Sequence, residues 1–329
     1  MVSPKVSVIM PAFNVEAYIC KAIQSILEQS YAAWELVVVD DGSTDGTRAV
    51  VDALLAKDER IRLVLHAENK GVSEARNTGL RHSSGKYVCF VDPDDWIEQS
   101  YLTQMVQYAE MHDLPLVISG LVYDYDGRVD FPLAYMQAQE LMAMDARYEM
   151  LLLQKFTWTP CDKLFLRELI EEHGLQFDSL YLLAEDLVFC WEYLKYISKA
   201  GFLPLYAYHY CVHPTSVTHR RDTDARLTSV AAIKYCYEDA AEMPQEIRRR
   251  LWTLYVKENA SCIKDLIAND VYAKQIMKMQ SVLRKNWKYM LLDWRISFAI
   301  KAAILFFCMP YSVCKFVWRW AGDYLVRYK

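Results

Sequence analysis

Within its first 95 residues the chain repeats one pattern, a short apolar run, then a polar loop, then apolar residues at three- and four-residue spacing. The runs are Lys5–Met10, Glu35–Val39, Ile61–Leu65 and Tyr87–Val91, and helical spacing follows from Glu16, from near Thr47 and over Val72–Leu80. Strands that alternate with helices pair in parallel, because each crossover helix returns the chain in the same direction. The pattern predicts an α/β fold with a doubly wound, mainly parallel sheet. Pro11 is expected to end the first strand. Ligands of such sheets bind in the crevice outside the carboxyl ends of the strands. Each of those ends here delivers polar residues, at Pro11–Asn14, Asp40–Asp45, Asn69–Arg76 and Asp92–Asp95. Four polar loops on one edge mark it as the binding edge.

The first loop excludes two common ligand sites. A dinucleotide-binding unit needs Gly-x-Gly-x-x-Gly after the first strand, and a P-loop needs its own glycines. Pro11-Ala12-Phe13-Asn14-Val15-Glu16 contains none. The fourth loop points to a cation. Tyr87-Val88-Cys89-Phe90-Val91 runs straight into Asp92-Pro93-Asp94-Asp95, and three carboxylates crowded at a strand end repel one another unless a cation sits among them. An Asp-rich turn is the other reading of the same residues.

Four stretches in order, Val6–Asn14 (VSVIMPAFN), Val39–Gly46 (VDDGSTDG), Asn69–Asn77 (NKGVSEARN) and Phe90–Asp95 (FVDPDD), resemble family 2 glycosyltransferases of the inverting, GT-A-fold type. The match covers roughly the first hundred residues, with two further motifs downstream. The resemblance implies that Pro11, Phe13 and Asp41 hold the nucleobase of a sugar nucleotide, the aromatic ring by stacking and the carboxylate by accepting an imide N–H. It puts Arg76 beside the nucleobase and phosphates. It makes Asp92, Asp94 and Asp95 the Asp-x-Asp-type motif that holds Mn²⁺ or Mg²⁺ on the donor's diphosphate. Pro93 stands where the family more often has Ser, which stiffens the turn and removes no ligand.

Downstream, Gln99–Met111 and Asp145–Gln154 read as helices, Leu116–Val122 as a strand and Asp124–Arg128 as a polar turn. Trp158–Arg167 (WTPCDKLFLR) resembles the family's segment before the second half of the active site. Leu182–Phe189 (LLAEDLVF) places two acids in an apolar run. A helix N-terminus would account for them. The resemblance instead makes Asp186 the base that takes the acceptor hydroxyl's proton and Glu185 the residue that binds the acceptor or orients that base. Ala184 stands where the family often has Gly. Tyr206–His219 resembles the segment that closes over the diphosphate, which implies His213 and Ser216 as donor ligands, with Cys211 at a position that is often Arg.

From Asp222 to Met290 the pattern is helical, and Ile296–Met309 is apolar except for Ser297 and Lys301. Those 14 residues fall short of the roughly 20 that span a bilayer. Trp287, Trp294, Trp318 and Trp320 flank them. Over residues 284–329, nine Lys/Arg against two Asp/Glu give a net +7, while residues 1–283 carry −12. A helix lying in an anionic membrane interface fits that asymmetry, and a helix buried on the catalytic domain is the alternative. The overall charge of −5 gives no case for nucleic-acid binding. Nine cysteines without a paired framework, and no secretory apolar run at the start, predict a reducing, cytoplasmic setting.

The expected organisation is a GT-A catalytic domain over residues 1–220, divided into a nucleotide-sugar-binding half (1–98) and an acceptor-binding half (99–220), then a helical region over 221–329. The expected activity is transfer of a sugar from a nucleotide donor, a UDP-sugar, to a saccharide or lipid-linked oligosaccharide at the inner face of the plasma membrane, in cell-surface glycan synthesis. A sugar-phosphate nucleotidyltransferase and a silent nucleotide-sugar-binding or membrane-scaffold protein are the alternatives. The glycine-free first loop argues against the former, and the intact Asp92, Asp94 and Asp186 against the latter.

Overall fold

The computed structural model describes residues 5–125, 128–130, 137–152, 157–212, 223–267, 270–292 and 296–327. The chain divides into two compact units, one of residues 1–180 with 185–220, the other of 181–184 with 221–329.

The first unit opens with the expected alternation. Strands β1 (Val6–Ala12), β2 (Trp34–Asp40), β3 (Ile61–Leu65) and β4 (Tyr87–Phe90) are separated by helices α1 (Ile19–Leu27), α2 (Thr47–Leu55) and α3 (Val72–His82). The second half comprises β5 (Trp96–Ile97), α4 (Tyr101–Met111), β6 (Leu116–Tyr125), β7 (Arg128–Asp130), β8 (Gln139–Met142), α5 (Ala143–Leu152), β9 (Lys163–Leu166), α6 (Arg167–Glu172), α7 (Glu185–Tyr193) and β10 (Lys199–Cys211). They form one sheet in the order β3-β2-β1-β4-β9-β6-β10-β5, with β7 on β6 and β8 on β10. The strands β1 to β4 are mutually parallel, as are β6 and β10, and β9 joins the two halves antiparallel to both β4 and β6.

Pro11 does not end β1. The strand pairs with β2 through Ala12 but with β4 only as far as Ile9. Pro11 shares the parity of Ile9, whose carbonyl faces β4 and accepts from Val91. Its missing N–H therefore points to a side where the ladder has already finished, and costs nothing there.

Every residue of β1 and β2 is buried, which is why both read as continuous apolar runs rather than alternating ones. Behind the carboxyl ends, Phe90 packs edge-on against Phe165, Phe177 and Phe189, and Phe177 stacks on Phe189 with ring centres 4.0 Å apart. Asn77 on α3 closes both hydrogen bonds with the Phe177 backbone at 2.8 Å. That clamp and the ring cluster bring α7 beneath the loop after β4.

The second unit is helical: α8 (Thr223–Asp239), α9 (Gln245–Leu266), α10 (Ala273–Leu292), α11 (Phe298–Phe307) and α12 (Tyr311–Arg327). The expected helical stretch from 222 to 290 resolves into α8, α9 and α10. Ser297 caps α11, its hydroxyl accepting from the Ile300 N–H. No helix is long and apolar enough to cross a membrane, among the described residues.

The amino end of the sheet rests on close backbone contact. The Gly85 N–H donates to the Ser7 hydroxyl at 2.8 Å, and Ser7 in turn donates to Glu35 at 2.6 Å. A Cβ on Gly85 would stand 2.6 Å from the Ser7 backbone nitrogen and 2.8 Å from the Val6 carbonyl carbon. Backbone cannot swing aside as a side chain can. Gly85→Ala is expected to lower the unfolding free energy by about 2–3 kcal/mol in urea titration, the cost of forced overpacking.

Candidate active site

The first two loops on the carboxyl edge are stitched together. Asn14, at φ 52°, accepts the Thr44 N–H on its side-chain oxygen at 2.8 Å and donates its own N–H to the Ser43 hydroxyl at 3.0 Å. The Val15 N–H reaches the Thr47 hydroxyl at 2.8 Å, and Glu16 accepts the Gly46 N–H at 2.5 Å. This frame leaves Phe13 40% exposed just beyond the end of β1, while Pro11 is buried within it.

Asp41 is almost fully buried and heavily bonded. Its Oδ1 lies 2.6 Å from His66 Nδ1 and accepts the Lys70 N–H at 2.9 Å, and its Oδ2 accepts the Gly71 N–H at 2.8 Å. The other ring nitrogen of His66 is 2.9 Å from the Thr78 hydroxyl on α3. Three of about four lone-pair sites on the carboxylate are taken, so Asp41 first of all ties the third loop and α3 to the end of β2.

Arg76 sits on the inner face of α3, 5% exposed. One arm of its guanidinium donates to Asp92 at 3.0 Å and the other to Glu185 at 3.0 Å. Burial works against its charge, but Asp92 and Glu185 outweigh that and hold it above the usual guanidinium range. The two bonds join the acid cluster after β4 to the first turn of α7, with Arg76 and Glu185 109 residues apart in sequence. Asp186 follows Glu185 on that turn, half-buried, accepting the Leu187 N–H at 2.7 Å. Burial, and then the charge of Glu185, push the Asp186 carboxyl up to about 7, and burial raises Glu185 as well. Both acids thus occupy a helix N-terminus, and Glu185 also meets the cluster through Arg76. Ala184, just before them in the chain, has φ 66°, a left-handed conformation that glycine adopts without penalty.

The acid cluster itself differs from expectation at Asp95. Its side chain is turned into the protein, 2% exposed. Oδ2 accepts the Tyr208 hydroxyl at 2.7 Å and Oδ1 accepts the Cys211 N–H at 2.8 Å. Burial, then Asp94 and Asp92, hold its carboxyl well above the usual carboxylate range. Asp95 therefore fastens the turn to β10 and is not disposed as a metal ligand. Asp92 and Asp94 remain, both half-buried, with Asp92 presenting one oxygen to Arg76. Among the described residues no three His, Cys, Asp or Glu side chains converge to form a complete metal cage. Two carboxylates nevertheless fit a hard divalent cation whose other ligands are substrate phosphates and water. His213 and Ser216 lie outside the described residues.

Several residues of the site carried no sequence signal of their own. Tyr208 donates to Asp95 and also accepts the Asp92 N–H at 3.2 Å, yet in sequence it is one tyrosine among several. Asp162 and Lys163 form a fully buried ion pair at 2.6 Å, and the ammonium also donates to the carbonyls of Thr157 and Thr159. A buried lysine inside a strand cannot be anticipated from apolar patterning. His66 could have been found, since it directly follows β3 at the binding edge.

The model of the family described as Glycosyl transferase family 2 matches residues 7–174. EpsJ of Bacillus subtilis (strain 168), an uncharacterized glycosyltransferase, is 31% identical over 218 residues, covering 65% of this chain and 63% of its own. WfgD of Escherichia coli, a UDP-Glc:alpha-D-GlcNAc-diphosphoundecaprenol beta-1,3-glucosyltransferase, is 48% identical over 93 residues, covering 28% of this chain and 36% of its own. The chain thus spans less than two thirds of either relative. Its structure is similar to that of S. aureus TarS 1-349 in complex with UDP, with a TM-score of 0.71 over 97% of this chain and 91% of that one. At 18% identity the likeness bears on the fold, and that fold is the GT-A type.

The perturbed carboxyl of Asp186 has a consequence for stability. In the unfolded chain it loses its proton near pH 4 and in the folded one at about 7. Folding takes up a proton between those values, so this residue's contribution worsens as pH rises from about 4 to 7 and stays unfavourable above. Asp186→Asn is expected to melt at a higher temperature than the parent at a pH of about 8. By differential scanning calorimetry that gain should vanish at a pH of about 4.

Proposed function

This chain belongs to glycosyl transferase family 2, and we propose that it is an inverting, metal-dependent glycosyltransferase moving a sugar from a UDP-sugar to a saccharide hydroxyl. The observation that carries the proposal is the Arg76 bridge, in which one guanidinium bonds Asp92 after β4 and Glu185 at the start of α7. Inverting transfer needs those two groups together, one beside the departing diphosphate and one base on the opposite face of the sugar.

Asp186 is the proposed base. A carboxylate that titrates at about 7 is half ionised at neutral pH and basic enough to accept a hydroxyl proton as the bond to the sugar forms. Glu185, fixed by Arg76, orients it and raises its basicity by charge. Phe13 offers an exposed ring for the uracil, with Pro11 shaping the wall behind it. Asp41 keeps one lone-pair site for the imide N–H. Asp92 and Asp94 would hold Mn²⁺ or Mg²⁺ against the diphosphate, which when bound neutralises charge building on the departing nucleotide. His213 and Ser216 are assigned to the diphosphate by resemblance to the family alone.

WfgD's name describes an acceptor carried on diphosphoundecaprenol, and we extend that class to this chain: a lipid-linked oligosaccharide in cell-surface glycan synthesis. The same reading has the protein work in the cytoplasm, on the inner face of the plasma membrane. Nine free thiols fit a reducing compartment.

The test is release of nucleoside diphosphate from a panel of nucleotide sugars with Mn²⁺, with and without saccharide acceptors. UDP release stimulated by an acceptor is expected, and no release from any donor would overturn the proposal. Asp186→Asn should cut transfer by about 10²–10⁴-fold while calorimetric UDP affinity stays within about twofold. In the parent enzyme kcat/KM should fall about tenfold per pH unit below the Asp186 titration at about 7. A flat acid limb would remove Asp186 from the role of base.

A further inference from the structure

We propose that the outer faces of α11 and α12 form a platform that rests on an anionic lipid surface. Helix α11 is apolar on both sides. Ile304 and Phe307 turn inward and are buried, while Phe298 is 86% exposed and Leu305 43% exposed. Phe298, Ala302 and Leu305 are spaced four and three apart, one stripe along two turns of helix. On α12 Cys314 is buried, and Phe316 two residues on is 73% exposed. Scattered surface apolar residues need no explanation, but two bare phenylalanines on successive helices, with Leu305, Val313 and Val317 exposed beside them in sequence, do.

The platform is preassembled. The turn between α11 and α12 is fastened to α10, where Arg284 donates to the carbonyls of Cys308 and Met309 at 2.9 and 3.0 Å, and Gln280 donates to Met309 at 3.1 Å. Phe307 on α11 meets Trp318 on α12 with ring centres 6.1 Å apart. The exposed stripes are thus the remainder of a hairpin whose inner side is already packed.

Length and charge decide what covers them. Helices of 10 and 17 residues are about 15 and 26 Å long, and among the described residues no helix is long and apolar enough to cross a bilayer. They can lie in its interface, where the apolar stripe sinks among acyl chains and lysine stems lift their ammonium groups to the headgroups. Residues 284–329 carry a net +7, with Lys301 and Lys315 on the two helices themselves. A second copy docked on the same face would oppose that charge to itself, whereas anionic headgroups neutralise it. The inference deepens the proposal of a membrane-borne acceptor; its purpose rests on that reading, its test does not.

The test is flotation of the full chain with vesicles of phosphatidylcholine alone or mixed with phosphatidylglycerol. The chain should float with the anionic vesicles, much less with the neutral ones, and less as salt is raised. Phe298→Ser combined with Phe316→Ser, and separately Lys301→Glu combined with Lys315→Glu, should each weaken flotation about tenfold or more. Both variants should keep the parent's melting temperature and UDP affinity, since the side chains removed are surface groups. Absence of flotation, equal flotation with both vesicles, or unchanged flotation of the Phe298/Phe316 variant would overturn the proposal. So would a concentration-dependent dimer that this variant dissolves, because a second copy would then be the occupant. Flotation without nucleotide release would leave the platform standing and sink the glycosyltransferase; release without flotation would do the reverse.

Discussion

A single buried guanidinium ties together two distant segments of the α/β unit of this protein. Arg76 is almost excluded from water, and both its arms end on carboxylates, Asp92 on one side and Glu185 on the other. A cation so placed is stable only because both partners are present, and the partners depend on it equally. Without it Asp92 and Glu185 would each lose the positive partner that offsets their burial. By pairing with Glu185, Arg76 fixes the first turn of α7, and with it the position of Asp186. By pairing with Asp92, it leaves that carboxylate one oxygen for a cation. The spacing between the Asp92 turn and the first turn of α7 thus follows from the reach of one side chain.

The surrounding polar bonds serve the same geometry from further out. Asp41 and His66 tie the third loop and α3 to the end of β2, so the helix bearing Arg76 has a set position. Tyr208 and the Cys211 backbone anchor the Asp95 turn to β10. Asn77 clamps the Phe177 segment that leads toward α7. Each bond is modest by itself. Together they fix the side chains around Arg76 in the folded chain.

Legibility in the sequence followed periodicity and proximity. The first four strands and three helices could be read because each is a single-period segment bounded by turn residues. The strand β9 could not, since four residues containing a buried lysine look like a loop, and the charge is tolerated only because Asp162 and two carbonyls surround it. The amino-terminal half of β10 was hidden for a similar reason: it carries register shifts against β6 and includes Pro204. Asp92 and Asp186 could be singled out as acids in apolar company. That Asp95, one residue beyond Asp94, faces inward depends on the tight turn in which the Asp95 N–H returns to the Asp92 carbonyl.

By itself the sequence determined the β-α alternation, the edge at which polar loops collect, and the family resemblance. Those are local properties, written in residue type and spacing. Only the tertiary structure decided which acids Arg76 bridges, which one turns inward to hold the fold, and how strongly Asp186 is perturbed. These depend on distances between residues as far apart as Arg76 and Glu185, and on how completely water is excluded between them. Neither quantity is a function of spacing along the chain.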